Sequence, residues 1–236
     1  MFIKYPRTES VHQLEEKGIF LSELIDNENP LIIEEKMDGT QVGIRFSENG
    51  EPCLQSRGQW VGNEPEFSLL KQWLYTHLDE LRELLGSRYI LFGEWLYFKH
   101  SIFYDQLPDY FMEYDLYDTK DGYFLSTARR HELLKNFPFI CSVHVMGSQT
   151  RFDKEALEEM ISNSSFISEQ AFEQLNKMSQ QFTEASRMME GLYLKWENSE
   201  CVLGRYKWTR QSFIDFVCSQ RHWSKNLKVV NQILPT

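Results

Sequence analysis

A chain of 236 residues, 42% of them apolar, is long enough for one large domain or two small ones and can fill a substantial core. Its formal net charge of −10 excludes a protein that coats nucleic acid by bulk attraction, while leaving room for a local basic face. Cys53, Cys141, Cys201 and Cys218 lack the spacing of a zinc site and the density of a disulfide scaffold, and there is neither a secretory apolar region in MFIKYPRTES nor a run of about 18 apolar residues, so reduced thiols, a cytoplasmic location and no membrane partner are expected.

The first informative stretch is IIEEKMDGTQVGIRF, residues 32–46, where an aliphatic run ends at Lys36 and alternating apolar residues resume at Val42, Ile44 and Phe46. One reading is a surface lysine beside an Asp38-Gly39 hairpin turn. The other is a nucleophile: a lysine amine attacks only when an apolar setting or a nearby cation removes its proton, and the end of a buried strand offers such a setting. Gly39, lacking Cβ, would then admit the backbone close to a bound nucleotide. Next, EPEFSLLKQWLYTHLDELRELLG spaces Phe67, Leu70, Leu74, Leu78, Leu81 and Leu85 as one helix, with Asn63 and Glu66 as a capping box and Gly86 as its stop.

Apolar runs mark RYILFGEWLYF and DYFMEYDLYD as strands. Glu94 ends the apolar run of the first, where a carboxylate needs a hydroxyl, a metal or a basic partner. Alternation places Tyr114 and Asp115 on opposite faces of the second, while Trp95, Tyr97 and Phe111 belong to the core. Residues 153–187 are polar and read as two helices capped by Asp153 and Ser168. GLYLKWE and CVLGRYKWT are strands, and Arg205 and Lys207, two apart, share a face on which two cations could meet one phosphate chain. After them comes a helix built on Phe213, Phe216 and Val217, then a basic extended segment. Residues 205–228 hold six basic residues against one acidic, Asp215. His100, His131 and His144 lack metal-ligand spacing and read as structural or exposed.

KMDG, FGEWLY, YFMEYDLYD, EGLYLK and RYK, in that order, resemble motifs I, III, IIIa, IV and V of the covalent nucleotidyltransferases, namely ATP-dependent RNA and DNA ligases and GTP-dependent mRNA-capping enzymes. SRG, containing Arg57, resembles motif Ia. GEWLY, the following LPDYF and the RYK-W block are most similar to small bacterial and viral RNA ligases. Two departures stand out: Gln41 replaces the arginine usual in DNA ligases two positions after the motif I glycine, and Arg205 replaces the first motif V lysine.

The resemblance implies an α+β, ATP-grasp-like adenylyltransferase domain with antiparallel sheets flanked by helices around an ATP cleft. Residues 1–236 would form that single domain, with 211–236 as a helical and basic tail and no OB fold. It implies an ATP-dependent enzyme that passes AMP through Lys36 to an RNA 5′-phosphate, which a 3′-hydroxyl then attacks. Glu190 would hold magnesium or manganese and keep Lys36 reactive, Glu94 would bind the ribose hydroxyls, and Tyr114 would stack on adenine. Gln41 would orient a phosphate or hydrated metal, Arg57 would contact phosphate or ribose, and Lys195, Arg205 and Lys207 would neutralise phosphate charge. Glu34 and Glu35 are framework residues or adenine-edge contacts, and Asp38 shapes the turn. Alternatives are a DNA-end or nick ligase, or a nucleotide- or RNA-binding component of a repair assembly that needs a helper protein. The tail either grips RNA in place of an OB fold or packs through Trp223, Leu227, Val229 and Val230.

Overall fold

The computed structural model describes residues 2–26, 28–220 and 228–234. The strands are β1 (Glu9–Ser10), β2 (Leu31–Lys36), β3 (Thr40–Phe46), β4 (Pro52–Ser56), β5 (Tyr89–Trp95), β6 (Phe111–Asp118), β7 (Tyr123–Phe124), β8 (Cys141–Ser142), β9 (Val145–Gln149), β10 (Gly191–Glu197) and β11 (Val202–Thr209). They form two sheets, one ordered β1-β11-β10-β2-β9 and the other β4-β3-β5-β6-β7 with β8 alongside β6. Pairing is antiparallel except for β1 with β11 and β6 with β8. The mixed architecture with antiparallel sheets and flanking helices is therefore present. All four cysteines are free, and among the described residues no helix is long and apolar enough to cross a membrane.

The Asp38-Gly39 pair does not close a hairpin. β2 and β3 lie in different sheets, so Met37, Asp38 and Gly39 carry the chain across the gap between them. Gly39 answers to a neighbouring strand, because a Cβ there would lie 2.8 Å from the Trp95 carbonyl oxygen, 2.7 Å from Leu96 Cδ2 and 2.9 Å from Glu94 Cγ. Asp38 does more than shape a turn: its Oδ2 accepts the amides of Ser101 at 2.7 Å and Ile102 at 2.9 Å, and its own amide donates to the Tyr104 hydroxyl. Lys36 is thereby tied to the segment that follows β5.

After the short helices α1 (Val11–Glu16) and α2 (Leu21–Leu24) near the start of the chain, one face of the second sheet buries Val42, Ile44, Leu91 and Leu116 beneath α3 (Ser68–Thr76) and α4 (Leu78–Leu85). These are the expected helix in two pieces after a 3-10 turn at Pro65–Phe67. The chain breaks at His77, whose ring stacks on Phe139 at 3.9 Å. Neither Asn63 nor Glu66 caps it; Phe67 stands at the N-cap without a side-chain bond, and Gly86 ends α4. The polar stretch 153–187 forms α6 (Lys154–Met160, after α5, Thr127–Leu134), a 3-10 turn at Ala171–Gln174 and α7 (Lys177–Gln181). Asp153 caps α6 as expected, whereas Asn176 caps α7 and Ser168 is instead engaged with Asp105.

Strand β6 carries a bulge opposite Phe92 and Gly93, with Tyr114 as the extra residue. Its side chain and that of Asp115 consequently both reach the space between the sheets, and the alternation expected of a regular strand fails there. Tyr114 packs edge-on against Tyr5 and Tyr193, and Asp115 Oδ2 accepts the hydroxyls of the same two tyrosines at 2.5 and 2.8 Å.

Beneath these tyrosines lies a buried ionic network. Arg130 of α5 bonds Glu34 at 2.6 Å and approaches Glu113 at 3.5 Å, while Lys195 meets Glu34 at 2.8 Å and Asp115 at 3.1 Å. Arg205 adds a contact to Asp115 at 3.5 Å and lies over the Phe124 ring at 4.0 Å. Glu34 is therefore framework.

α8 (Gln211–Ser219) is anchored by buried Phe213, but Val217 is exposed rather than part of its packing face. Residues 228–234 fold back on residues 96–110: Asn231 Nδ2 donates to Leu96 O at 2.7 Å and its Oδ1 accepts the Tyr104 amide at 3.0 Å. Backbone bonds from Lys99 to Val229 and from Leu107 to Gln232 extend the contact. The described end of the tail is thus a brace on residues 96–110, the packing alternative for Val229, whereas the Val230 side chain is exposed and only its backbone bridges to Phe98. Arg221, Trp223, Lys225 and Leu227 lie outside the described residues.

Replacing Arg130 by Met should cost about 3–5 kcal/mol, the penalty of leaving buried charges without their partner, because Glu34 and Glu113 both face it. Urea denaturation of the two proteins measures this, and a loss below about 1 kcal/mol would mean the network contributes little.

Candidate active site

Between the sheets opens a cavity of about 450 Å³, in the range of small-molecule sites. Lys36 enters it from the last position of β2, opposite Gly191 of β10. A Cβ at Gly191 would lie 2.0 Å from the Trp208 carbonyl oxygen, so only glycine lets β11 close on this strand end. The preceding residue, Glu190, is buried, and its Oε1 bonds Lys36 Nζ at 2.7 Å.

Lys36, Gly39, Gln41, Arg57, Glu94, Tyr114 and Lys207 all line this cavity. They come from β2, β3, β5, β6, β11 and the crossing and loop next to them, which no local pattern could bring together. Gln41 and Glu94 are paired across β3 and β5. Lys207 lies opposite Tyr193, itself opposite Glu34, placing Lys207 on the cavity face of the first sheet.

Lys195 and Arg205 are exceptions to the phosphate-binding expectation. Both share that face but neither lines the cavity, since each is committed to Asp115 in the network below. Lys195 also donates to the Tyr114 carbonyl. Their place is under the floor, where they hold Tyr5, Tyr114 and Tyr193 through Asp115 and the bulged strand.

Several lining residues escaped the sequence reading. Tyr5, Pro6 and Thr8 bring the N-terminal segment to the wall, and Thr40, Ser56, His100 and Val143 complete parts of it. His100 is buried, with Nε2 3.2 Å from Thr40 Oγ1. The one available signal was Lys4 and Arg7 flanking an aromatic-proline pair on an acidic chain.

Charge sets the chemistry. Burial by itself would lower the affinity of Lys36 for its proton, but Glu190, Glu94 and Asp38 outweigh it and hold the ammonium above its ordinary pKa. The expectation that an apolar setting frees this amine is therefore reversed in the ligand-free site. Burial pushes the Glu94 carboxyl up to about 8 against the attraction of Lys36, and Glu190 is raised by burial in the same way. Lys207 is lowered by burial and then by the Lys36 charge, with Arg57 and Arg7 acting in the same sense.

Glu94 lines the cavity, and Glu190, which is not itself among the lining residues, meets it through its bond to Lys36, so two raised carboxyls stand around one ammonium. Among the described residues no group of three His, Cys, Asp or Glu side chains is arranged to hold a metal by itself. The donors fit magnesium or manganese bound through one or two carboxylates and completed by substrate phosphate.

Residues 29–209 match the family model described as RNA ligase. No curated protein matches the sequence. The Naegleria gruberi RNA ligase solved with pyrophosphate is similar at TM-score 0.63 and 14% identity, covering 93% of this chain and 59% of that one. A variant of that ligase with ATP and manganese gives 0.61 at 14% identity over 93% and 59%, and one with AMP and manganese gives 0.62 at 14% over 91% and 58%. At this identity the likeness is one of fold, and the present chain spans 58–59% of the length of these solved proteins.

The raised Glu94 carboxyl carries a pH signature. Between about 4.5 and about 8 the folded protein binds this proton more tightly than the unfolded chain does, so stability falls as pH rises through that window. Glu94→Gln should flatten the fall, shifting the difference between variant and parent in the variant's favour from pH 5 to pH 8. Urea midpoints at both pH values measure it, and a pH-independent difference would contradict the burial of this carboxyl.

Proposed function

The chain belongs to the RNA ligase family, and from that premise we propose that it is an ATP-dependent ligase joining an RNA 5′-phosphate to a 3′-hydroxyl through AMP bound to Lys36. The observation that carries the reading is Lys36 at the mouth of β2, paired with Glu190 and facing a cavity lined by Glu94, Tyr114, Arg57 and Lys207. The ATP, AMP, pyrophosphate and manganese named with the solved relatives support the choice of nucleotide and cation class. Sheets built from interleaved segments along the chain support a single adenylyltransferase unit.

In the first step Lys36 Nζ, having lost a proton, attacks the α-phosphorus of ATP. A phosphorus–nitrogen bond forms, the bond to the bridging oxygen breaks, and pyrophosphate leaves. In the second, an oxygen of the RNA 5′-phosphate attacks the same phosphorus and Lys36 is released. In the third, the RNA 3′-hydroxyl oxygen attacks the 5′-phosphorus and AMP departs.

The residues divide this work. Glu94 accepts from ribose hydroxyls, Tyr114 packs against adenine, and Arg57 and Lys207 stabilise negative charge on the phosphates. Gln41 orients a phosphate, and Asp38 fixes the segment that carries His100 into the wall. Glu190, with Glu94 nearby, would hold a divalent ion, which when bound supplies positive charge to the phosphates and loosens the proton on Lys36. Lys207 works to the same end, since its cation opposes that of Lys36.

Incubation with ATP and magnesium followed by peptide mass mapping should place AMP on Lys36. Lys36→Ala and Lys36→Arg should both be inert, the latter because guanidinium stays protonated. Lys207→Ala should slow AMP attachment by about 10² or more, the scale of one lost transition-state donor. AMP on another residue, or undiminished labelling of Lys36→Ala, refutes the assignment.

A further inference from the structure

Two segments border the cavity, residues 2–8 and 55–63. They carry Lys4, Arg7 and Arg57 and no acidic residue, on a chain of net charge −10. The structure joins them. Gln55 Nε2 donates to the Ile3 carbonyl at 2.8 Å, Trp60 pairs with Gln55 in an antiparallel bridge, and the Phe2 ring meets Trp60 edge-on, with centroids 5.1 Å apart at 84°. Each segment then runs into the cavity wall, one through Tyr5, Pro6 and Thr8 and the other through Ser56 and Arg57. Phe2 and Trp60 are each three residues from a lining residue, roughly 11 Å of extended chain at most.

Trp60 is 43% exposed, and Lys4, Arg7 and Arg57 of the same two segments are exposed as well. Burial does not account for such an indole. The edge-on Phe2 ring braces the indole, and the exposed part of the indole offers the aromatic surface that stacking of a base requires. The cations supply what the same strand needs for its phosphates.

We propose that Trp60, braced by Phe2, is a stacking platform for an unpaired base of the RNA strand whose end enters the cavity, with Lys4 and Arg57 meeting its phosphates. This rests on the RNA ligase reading and extends it to a base contact outside the adenylylation pocket. The competing role is a clip in which Trp60 only anchors the N-terminal segment. A clip would matter to both AMP attachment and RNA transfer, because Tyr5, Pro6 and Thr8 follow Phe2 into the pocket.

The test uses the full chain carrying Trp60→Ala or Trp60→Phe. AMP attachment from ATP should stay within about twofold of the parent in both. The concentration of 5′-phosphorylated single-stranded RNA giving half-maximal AMP transfer should rise roughly tenfold or more in Trp60→Ala, the scale of one lost base stack, and recover largely in Trp60→Phe. Binding is read separately by tryptophan fluorescence with a 5′-hydroxyl RNA oligonucleotide, which cannot react. Quenching should be present in the parent and reduced in Trp60→Phe. Unchanged half-saturation in Trp60→Ala, equal loss of both steps, or undiminished quenching in Trp60→Phe would each overturn the platform. Should the parent attach no AMP, the ligase reading fails, and the fluorescence arm still decides whether Trp60 binds RNA.

Discussion

The contact on which the rest of this molecule depends is the 2.7 Å pair between Lys36 and Glu190. A lone lysine at a strand end in an apolar gap would shed its proton easily, and it would also be costly to bury. Three carboxylates around it reverse the first property and relieve the second. The site therefore holds Lys36 as an ammonium, and in the proposed reaction its reactivity would depend on what enters the cavity. Positive charge arriving near Glu190 and Glu94 would compete with Lys36 for those carboxylates, so under the proposed function metal and nucleotide binding would be coupled to release of the lysine proton.

Keeping that pair in place is the work of parts that lie outside the cavity lining. The chain crosses from one sheet to the other between Lys36 and Thr40, and Asp38 ties the crossing to the amides of Ser101 and Ile102. Residues 228–234 brace the same segment from outside, with Asn231 bonding Leu96 and Tyr104. On the other flank, three acids and three bases, Glu34, Glu113, Asp115, Arg130, Lys195 and Arg205, interlock beneath the tyrosine wall. Buried ion pairs add little net stability compared with a well-packed apolar core, but a broken one is expensive, so such a network favours one arrangement of the two sheets over its neighbours.

The sequence made the strands and the order of the motifs legible because those signals are local: an apolar run ending in lysine, a carboxylate in FGEWLY, a pair of cations two apart. Lys36, Glu94, Tyr114 and Lys207, which the fold brings together on one cavity, were singled out from such patterns. What failed was set by partners far along the chain. Lys195 and Arg205 look like phosphate cations until Asp115 is seen to be buried beside them, and Asp115 is there because a bulge at Tyr114 breaks the alternation of β6. Gly39 reads as a nucleotide contact although the atoms that exclude its Cβ belong to Glu94, Trp95 and Leu96. Tyr5, Pro6 and Thr8 show no periodic pattern, and it is pairing of β1 with β11 and the bonds of Tyr5 to Asp115 and Gln55 to Ile3, all distant in sequence, that bring their segment to the site.

The charge account of Lys36 is open to direct measurement by NMR titration of the protein with isotopically labelled lysine side chains, the Lys36 signal being assigned by its loss in Lys36→Arg. In the ligand-free protein the ammonium should titrate above the ordinary lysine value of about 10.4, and in Glu190→Gln it should titrate lower than in the parent. A Lys36 pKa below the ordinary value in the ligand-free parent, or one unmoved by Glu190→Gln, would contradict the claim that carboxylates hold the nucleophile in its protonated form.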